Sequence, residues 1–347
     1  MMLRKRILFL FIGLAAVMGC SLVDEDMRDC ETDYSLDYQL TLVTNMTTEL
    51  QTQLSLEADL SIRAALKSQL EKVFTDYAND VNLSFYDVVG DSLRLHHESH
   101  VMNANQSSYT LYIPVRKYMH LAAANLEGNS LVSLVNDESC HKASLHQQVA
   151  DTLDSHSKGV FTSRRPMDIQ EGVDQRFDVK LFMTNCAASL VLDTLGSHVK
   201  DVKVYTSGFA TDFNLADSTY RFQYTPVIRT VQAPSSTAGD PLCFTSVQFP
   251  SKEPDPTKTI INTDDPFISE AADNALWNYR VYITAADGSV TETLLGVLVP
   301  LRAGQLKVVR GVVDSKGTVV PEKEYQQMVT VSVQLNWTPG MTWDVGI

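Results

Sequence analysis

Cys20 is the residue whose type and setting point most directly to chemistry. It follows Val17-Met18-Gly19, so a small residue stands directly before the thiol. Behind it, Ile7 through Met18 are apolar or small, preceded by the basic triplet Arg4-Lys5-Arg6. A basic start, a short apolar run and a small residue at the cut make a secretory signal. The run is too short to cross a hydrocarbon layer of ~30 Å as a helix. A cysteine at the cleavage point specifies the lipoprotein form of that signal, in which the chain is cut before Cys20 and the thiol accepts diacylglycerol. One acyl chain binds a membrane only reversibly, with K of roughly 10⁴ M⁻¹, whereas two or more anchor stably. The expectation is a signal peptide over 1–19 and a lipid on Cys20.

Cys30, Cys140, Cys186 and Cys243 remain. Four cysteines in an exported chain can close up to two disulfides in three connectivities. The favoured expectation is one bridge clamping Cys30 to the first domain, with buried thiols as the alternative. No Cys-x-x-Cys occurs, and the irregular separations do not suit zinc or iron–sulfur ligation. In the cluster His96, His97 and His100, His96 and His100 would share a helical face, but the alternation around them reads as strand or turn, so no metal site is expected. His141 and His146 read as exposed loop histidines.

Other catalytic signatures are missing from the sequence. There is no Gly-rich phosphate loop, no His-Glu-x-x-His and no Gly-x-Ser-x-Gly elbow. Nothing singles out a catalytic pair among 42 acidic residues. Trp277, Trp337 and Trp343 could stack sugars, although aromatics in sandwiches more often pack. Arg164-Arg165 could be a cleavage site, which Pro166 disfavours. No cofactor beyond the covalent lipid is expected, and the residues alone leave a hydrolase open. With 28 basic residues the net charge is −14, and losing the signal removes three bases and no acid. Nucleic acid is excluded as a partner, because phosphate binding needs clustered Lys and Arg. Anchoring must come from lipid rather than from charge.

These residues need elements to position them. At ~100–200 residues per domain, 347 residues suggest two domains. Residues 20–38, with six acids between Asp24 and Asp33, read as an extended tether. Leu40 and Leu42 begin a strand. Leu66, Leu70, Val73, Phe74 and Tyr77 recur at helical spacing, which predicts an amphipathic helix near 56–77. Alternation then predicts strands at Val81-Leu83-Phe85, Tyr109-Leu111-Ile113 and Tyr118 to Ala124. Pro114 should end a strand or sit at an edge.

The N-terminal β-sandwich is placed at 39–160, a linker at 161–176 and a C-terminal β-sandwich at 177–347. Within the latter, Phe177 to Met183, Leu190 and Leu192, Val202 and Val204, and Val308 to Val313 read as strands. Tyr279-Val281-Ile283 runs into Asp287-Gly288, a hairpin signal. Val329, Val331, Val333 and Leu335 alternate over a terminal strand. The fold class is mainly β: two tandem sandwiches, the first with a helix.

Several stretches resemble the FimB-like fimbrial anchor lipoproteins of type V pili. The lipobox at Cys20 is followed by an acidic leader and Cys30. Val81 to Gly90 is similar to that family's strand ending in a Phe-Asp-x-x-Gly turn, with Tyr86 where Phe is usual. Tyr109 to Pro114 and Tyr118 to Ala124 resemble its next strand pair. Phe177 to Leu192 and Val202 to Phe209 resemble the start of its second domain, and Val329 to Gly340 its last strand. The resemblance implies two transthyretin-like sandwiches, no enzymatic activity and a lipid-anchored subunit at the cell surface of the outer membrane. It also implies a fimbrial shaft subunit as partner through β-strand addition, with residues 329–337 as a candidate donor. A pilus-tip adhesin and a surface glycan-binding lipoprotein are the alternative readings.

Overall fold

A computed structural model gives the architecture. It describes residues 33–322 except 44–49, 53, 56, 58, 74–77, 89–93, 102–107, 174, 195–198, 235–238, 256–266, 269–274 and 315. Cys20, Cys30, Trp337, Trp343 and the candidate donor strand Val329 to Leu335 lie outside the described residues.

The strands begin with β1 (Asp33–Val43), β2 (Asp80–Asp87), β3 (Arg94–Val101), β4 (Ser108–Pro114), β5 (Lys117–Ala124), β6 (Val132–Val135), β7 (Ser144–Gln147) and β8 (Thr152–Asp154). They continue with β9 (Phe161–Asp168), β10 (Gln175–Met183), β11 (Cys186–Asp193), β12 (Val199–Ser207), β13 (Asp212–Asn214), β14 (Thr219–Arg221) and β15 (Val227–Arg229). The last are β16 (Val231–Gln232), β17 (Leu242–Gln248), β18 (Phe267–Ile268), β19 (Trp277–Ala285), β20 (Val290–Val297), β21 (Leu306–Val313) and β22 (Val319–Pro321). Helix α1 (Leu60–Leu70) lies between β1 and β2.

Seven strands join in the order β3-β2-β5-β9-β10-β1-β4. A flat sheet of that order would put β4 and β5 far apart, yet only Val115 and Arg116 separate them, and three Cα steps reach about 11 Å at most. The sheet must therefore fold over, so that β4 and β5 face each other across a sandwich gap of about 10 Å. The corner is at β9 and β10, which pair only at Phe182 with Thr162 and Met183 with Phe161. One layer is β4-β1-β10 and the other is β3-β2-β5-β9. Pro114 ends β4, an edge strand, as its missing N–H requires.

A second sandwich stacks β16-β17-β11-β21-β22 on β18-β20-β19-β12-β15-β8. Its core gathers Leu190, Leu192, Val204, Val281, Ile283, Trp277 and Tyr279. The expected hairpin forms between β19 and β20, with Gly288 at φ 87°. Gly208, at φ 101°, lets its backbone pass Trp277 where a Cβ would stand 2.7 Å from the Trp277 Cα.

Helix α1 fills the junction between the sandwiches. Asp59 caps it by accepting from the Ser61 and Ile62 N–H groups at 2.8 and 3.3 Å. Ile62, Leu66 and Leu70 are buried at i, i+4 and i+8, each contributing about 1.5–3 kcal/mol. The helix packs against β17, and its cluster takes in Ala187, Val191 and Val247 from the second sandwich. Sheet β16-β17-β11-β21-β22 is thus covered on both faces. This is why β11 reads Cys-Ala-Ala-Ser-Leu-Val-Leu, with its first seven residues buried, rather than alternating.

The boundaries differ from the sequence reading in four ways. The tether ends at 32, because β1 starts at Asp33. The helix is shorter than 56–77, bounded by the Asp59 cap and Glu71. Residues 161–176, expected as a linker, form β9 and the start of β10, so Phe177 to Met183 belong to the first sandwich. Arg164, Arg165 and Pro166 lie where β10 has turned away, leaving that side of β9 as an edge, and charges and proline suit an edge.

The halves also interlock. β8 pairs in parallel with β15 of the second sandwich. β13 and β14 complete a small sheet in the order β14-β13-β7-β6, which covers the outer face of β5 at Leu121 and Ala123.

Candidate functional site

The seat of β1 is the strongest candidate for function. β1 lies between β4, antiparallel to it, and β10, parallel to it. Leu36, Tyr38 and Leu40 point inward and are buried, while Ser35, Asp37 and Thr41 face out. The chain's own first strand therefore seals a groove that would otherwise open the core along its length. On the outer face Gln39 Nε2 donates to Asp37 Oδ1 at 3.1 Å and to Ser108 Oγ at 2.5 Å, tying β1 to β4.

The deepest fastening is Tyr38. Its hydroxyl donates to His120 Nε2 on β5, across the sandwich, and His120 Nδ1–H donates to the Ser84 carbonyl oxygen at 3.0 Å. His120 stacks on Phe85 at 4.4 Å and meets the Tyr38 ring edge-on at 5.4 Å. Burial holds the Tyr38 hydroxyl well above its ordinary pKa and pushes His120 down to about 4, so the tyrosine keeps its proton and the imidazole stays neutral to accept it.

The three described cysteines lie in three separate cores. Cys140 packs with Leu145 and Phe213, Cys186 with Leu190 and Trp277, and Cys243 with the α1 cluster. Cys186 and Cys243 sit on neighbouring strands, but Cys186 pairs with Gln248 and Cys243 with Val191. That offset of five residues, on opposite faces, far exceeds the reach of a disulfide. Cys140, Cys186 and Cys243 are therefore not joined to one another, as the buried-thiol alternative has it, and the bridge expected from Cys30 lies outside the described residues. Burial raises the thiol pKa of Cys186 strongly and that of Cys243 to about 11.

Trp277 is 0% exposed, and its Nε1–H donates to the Val299 carbonyl at 2.9 Å. It packs the core and offers no sugar platform. His96, His97 and His100 lie on strand β3, where the helical spacing that could have grouped them does not apply. Among the described residues no His, Cys, Asp or Glu group is placed to hold a metal.

One constellation was invisible in the sequence. His146 bonds through Nδ1 to the Asp212 carboxylate and through Nε2 to Ser144 Oγ at 2.7 Å, while Thr211 Oγ1 donates to Asp212 Oδ2 at 2.5 Å. The order Ser–His–Asp is that of hydrolytic triads. β7 is paired on both flanks, however, which commits its backbone donors, and an oxyanion needs free ones. The set acts as a strut joining β7 to β13, whose members lie 66 positions apart in sequence and share no local signal.

No protein-family model and no curated protein matches the chain. Solved structures do. A candidate adhesin from Bacteroides ovatus superposes with TM-score 0.53 at 11% identity, over 83% of this chain and 92% of its own. A candidate adhesin from Bacteroides thetaiotaomicron gives 0.52 at 9%, over 83% and 94%. The fimbrial anchor protein Mfa2 from Porphyromonas gingivalis gives 0.47 at 9%, over 80% and 91%. The mainly β fold of this chain is thus one shared with two candidate adhesins of Bacteroides.

Proposed function

We propose that this chain is a lipid-anchored fimbrial subunit that attaches a type V pilus to the outer membrane and limits its polymerisation. The observation that carries this reading is the seat of β1. In assembly by strand addition, an incoming strand supplies main-chain hydrogen bonds and fills alternate pockets with its side chains. Here those pockets hold Leu36, Tyr38 and Leu40 of the chain itself. A subunit whose groove is already filled offers no seat to a neighbour, although it can still donate a strand, so growth stops with it. The lipobox at Cys20 supplies the hold on the membrane, and the sequence 329–337 is the donor candidate. The chain acts by binding, without catalysis.

The test is recovery of the intact protein from outer membranes. A polymerising fimbrial subunit should copurify, and should be lost when the chain is truncated from Met328. Normal pilus retention by that truncation would refute the donor assignment.

The fold shared with two candidate adhesins favours a second reading, a pilus-tip adhesin. Labelling of intact pili separates the two: the anchor reading places this chain at the cell-proximal end, the adhesin reading at the distal end.

A further inference from the structure

The end of the first sandwich where the tether enters is built from adjoining loop tips, and it carries exposed apolar side chains. β1 begins there at Asp33, which faces Pro114, and Leu36 faces Gln175 at the start of β10. β2 and β9 end there and β5 begins there: the Val88 N–H donates to the Lys117 carbonyl at 3.1 Å, and the Ile169 N–H to the Arg116 carbonyl at 2.9 Å. These bonds hold the tips side by side.

Each tip presents a valine to solvent: Val88 is 42% exposed, Val115 38% and Val173 49%. Tyr112, two residues before Pro114, adds a ring that is 61% exposed. Other exposed large apolar residues, such as Val149 and Val290, sit on separate elements. The loop bearing Val173 is pinned, since Gln175 Nε2 donates to the Asp168 carbonyl at 3.0 Å and Gln175 Oε1 accepts from the Gln170 N–H at 2.9 Å. Two ion pairs lie at this end, Arg116 with Asp87 at 2.9 Å and Lys117 with Asp168 at 3.7 Å, and Glu171 is exposed.

We propose that this end is a membrane-docking face, with Val88, Val115, Val173 and Tyr112 resting in the headgroup region of a zwitterionic phospholipid bilayer. The inference rests on the lipid at Cys20. That residue lies thirteen positions before Asp33, which bounds the separation of the β1 start from the bilayer at roughly 45 Å. Anchored so close, the face meets the membrane at high effective concentration, so shallow apolar contacts suffice to orient the molecule. Exposed Glu171 and the acid-rich sequence from Asp24 to Asp33 select against anionic lipid. Docked this way, β1 points away from the membrane and the second sandwich stands outward.

The test uses the full-length lipidated protein in phosphatidylcholine vesicles whose acyl chains are brominated, a short-range quencher of tryptophan. Val115→Trp and Val173→Trp place reporters at the face, and Val290→Trp places one on the β19–β20 hairpin. The face reporters should be quenched at least two-fold more than the hairpin reporter, with no gain on adding anionic lipid. Equal quenching in protein that still floats with the vesicles overturns the docking face while leaving the anchor intact. Quenching seen only with anionic lipid overturns the choice of surface. Loss of flotation overturns the lipid anchor and the docking face together.

Discussion

Tyr38 on β1 and His120 on β5 are joined across the N-terminal sandwich by a hydrogen bond in which the phenol donates to the Nε2 lone pair. The imidazole cannot turn its other nitrogen to the task, because Nδ1–H is held by the Ser84 carbonyl. Tyr38→Phe therefore leaves a buried acceptor unsatisfied and should cost about 1–3 kcal/mol. Urea unfolding measures it, with Tyr112→Phe, an exposed ring on β4, as a control expected to change stability by less than about 0.5 kcal/mol.

Acid should loosen the fold before the carboxylates protonate. His120 and His156 are both buried and both pushed down to about 4. Unfolded, each binds a proton near pH 6.5. Between those values the unfolded chain holds more protons, so stability is complete above about pH 6.5 and falls as pH drops toward 4. The slope is about 1.4 kcal/mol per pH unit for each histidine. His156→Gln should halve the slope in denaturant melts taken from pH 7 to pH 4.5, and an unchanged slope would remove the assignment.

At the junction between the sandwiches a half-buried arginine meets a buried carboxylate. The Arg310 guanidinium on β21 meets the Glu57 carboxylate just ahead of α1, and Glu57 Oε1 also accepts from the Asp59 N–H at 2.9 Å. Arg310→Met strands a buried carboxylate and should cost about 3–5 kcal/mol, with much of that loss recovered in Glu57→Gln/Arg310→Met. Thermal unfolding of the two variants side by side reads the difference.

Cys186 and Cys243 should resist alkylation in the native protein, since burial keeps both thiols protonated and covered. Mass spectrometry after iodoacetamide treatment should find them unmodified when folded and modified in urea. A peptide linking either of them to the other or to Cys140 would contradict the three-core placement.

Much of the fold was legible wherever one face of an element meets a core and the other meets water. Val81-Leu83-Phe85, Tyr109-Leu111-Ile113 and the Asp287-Gly288 hairpin announce themselves by alternation and turn chemistry, and they form strands and a turn as expected. The stretch 161–168 misled because an edge strand tolerates Arg164, Arg165 and Pro166, the very residues that mark linkers elsewhere. Phe177 to Met183 alternate properly, but alternation does not say which sheet a strand joins, and β10 pairs with β1, more than 130 positions earlier. The same non-locality hid the Tyr38–His120 bond and the Ser144–His146–Asp212 strut. Cys186 and Cys243 read as disulfide candidates because a count of cysteines carries no information on which face of a strand each occupies.

In the proposed function a lipid leader fastens a sealed sandwich at the foot of a fibre, and Cys20→Ala removes that fastening. Fimbriated cells carrying the variant should release their pili into the medium, with the variant chain absent from the outer-membrane fraction and recovered as unlipidated protein. Pili retained at the wild-type level on cells whose only copy carries Cys20→Ala would rule out a lipid-held pilus base.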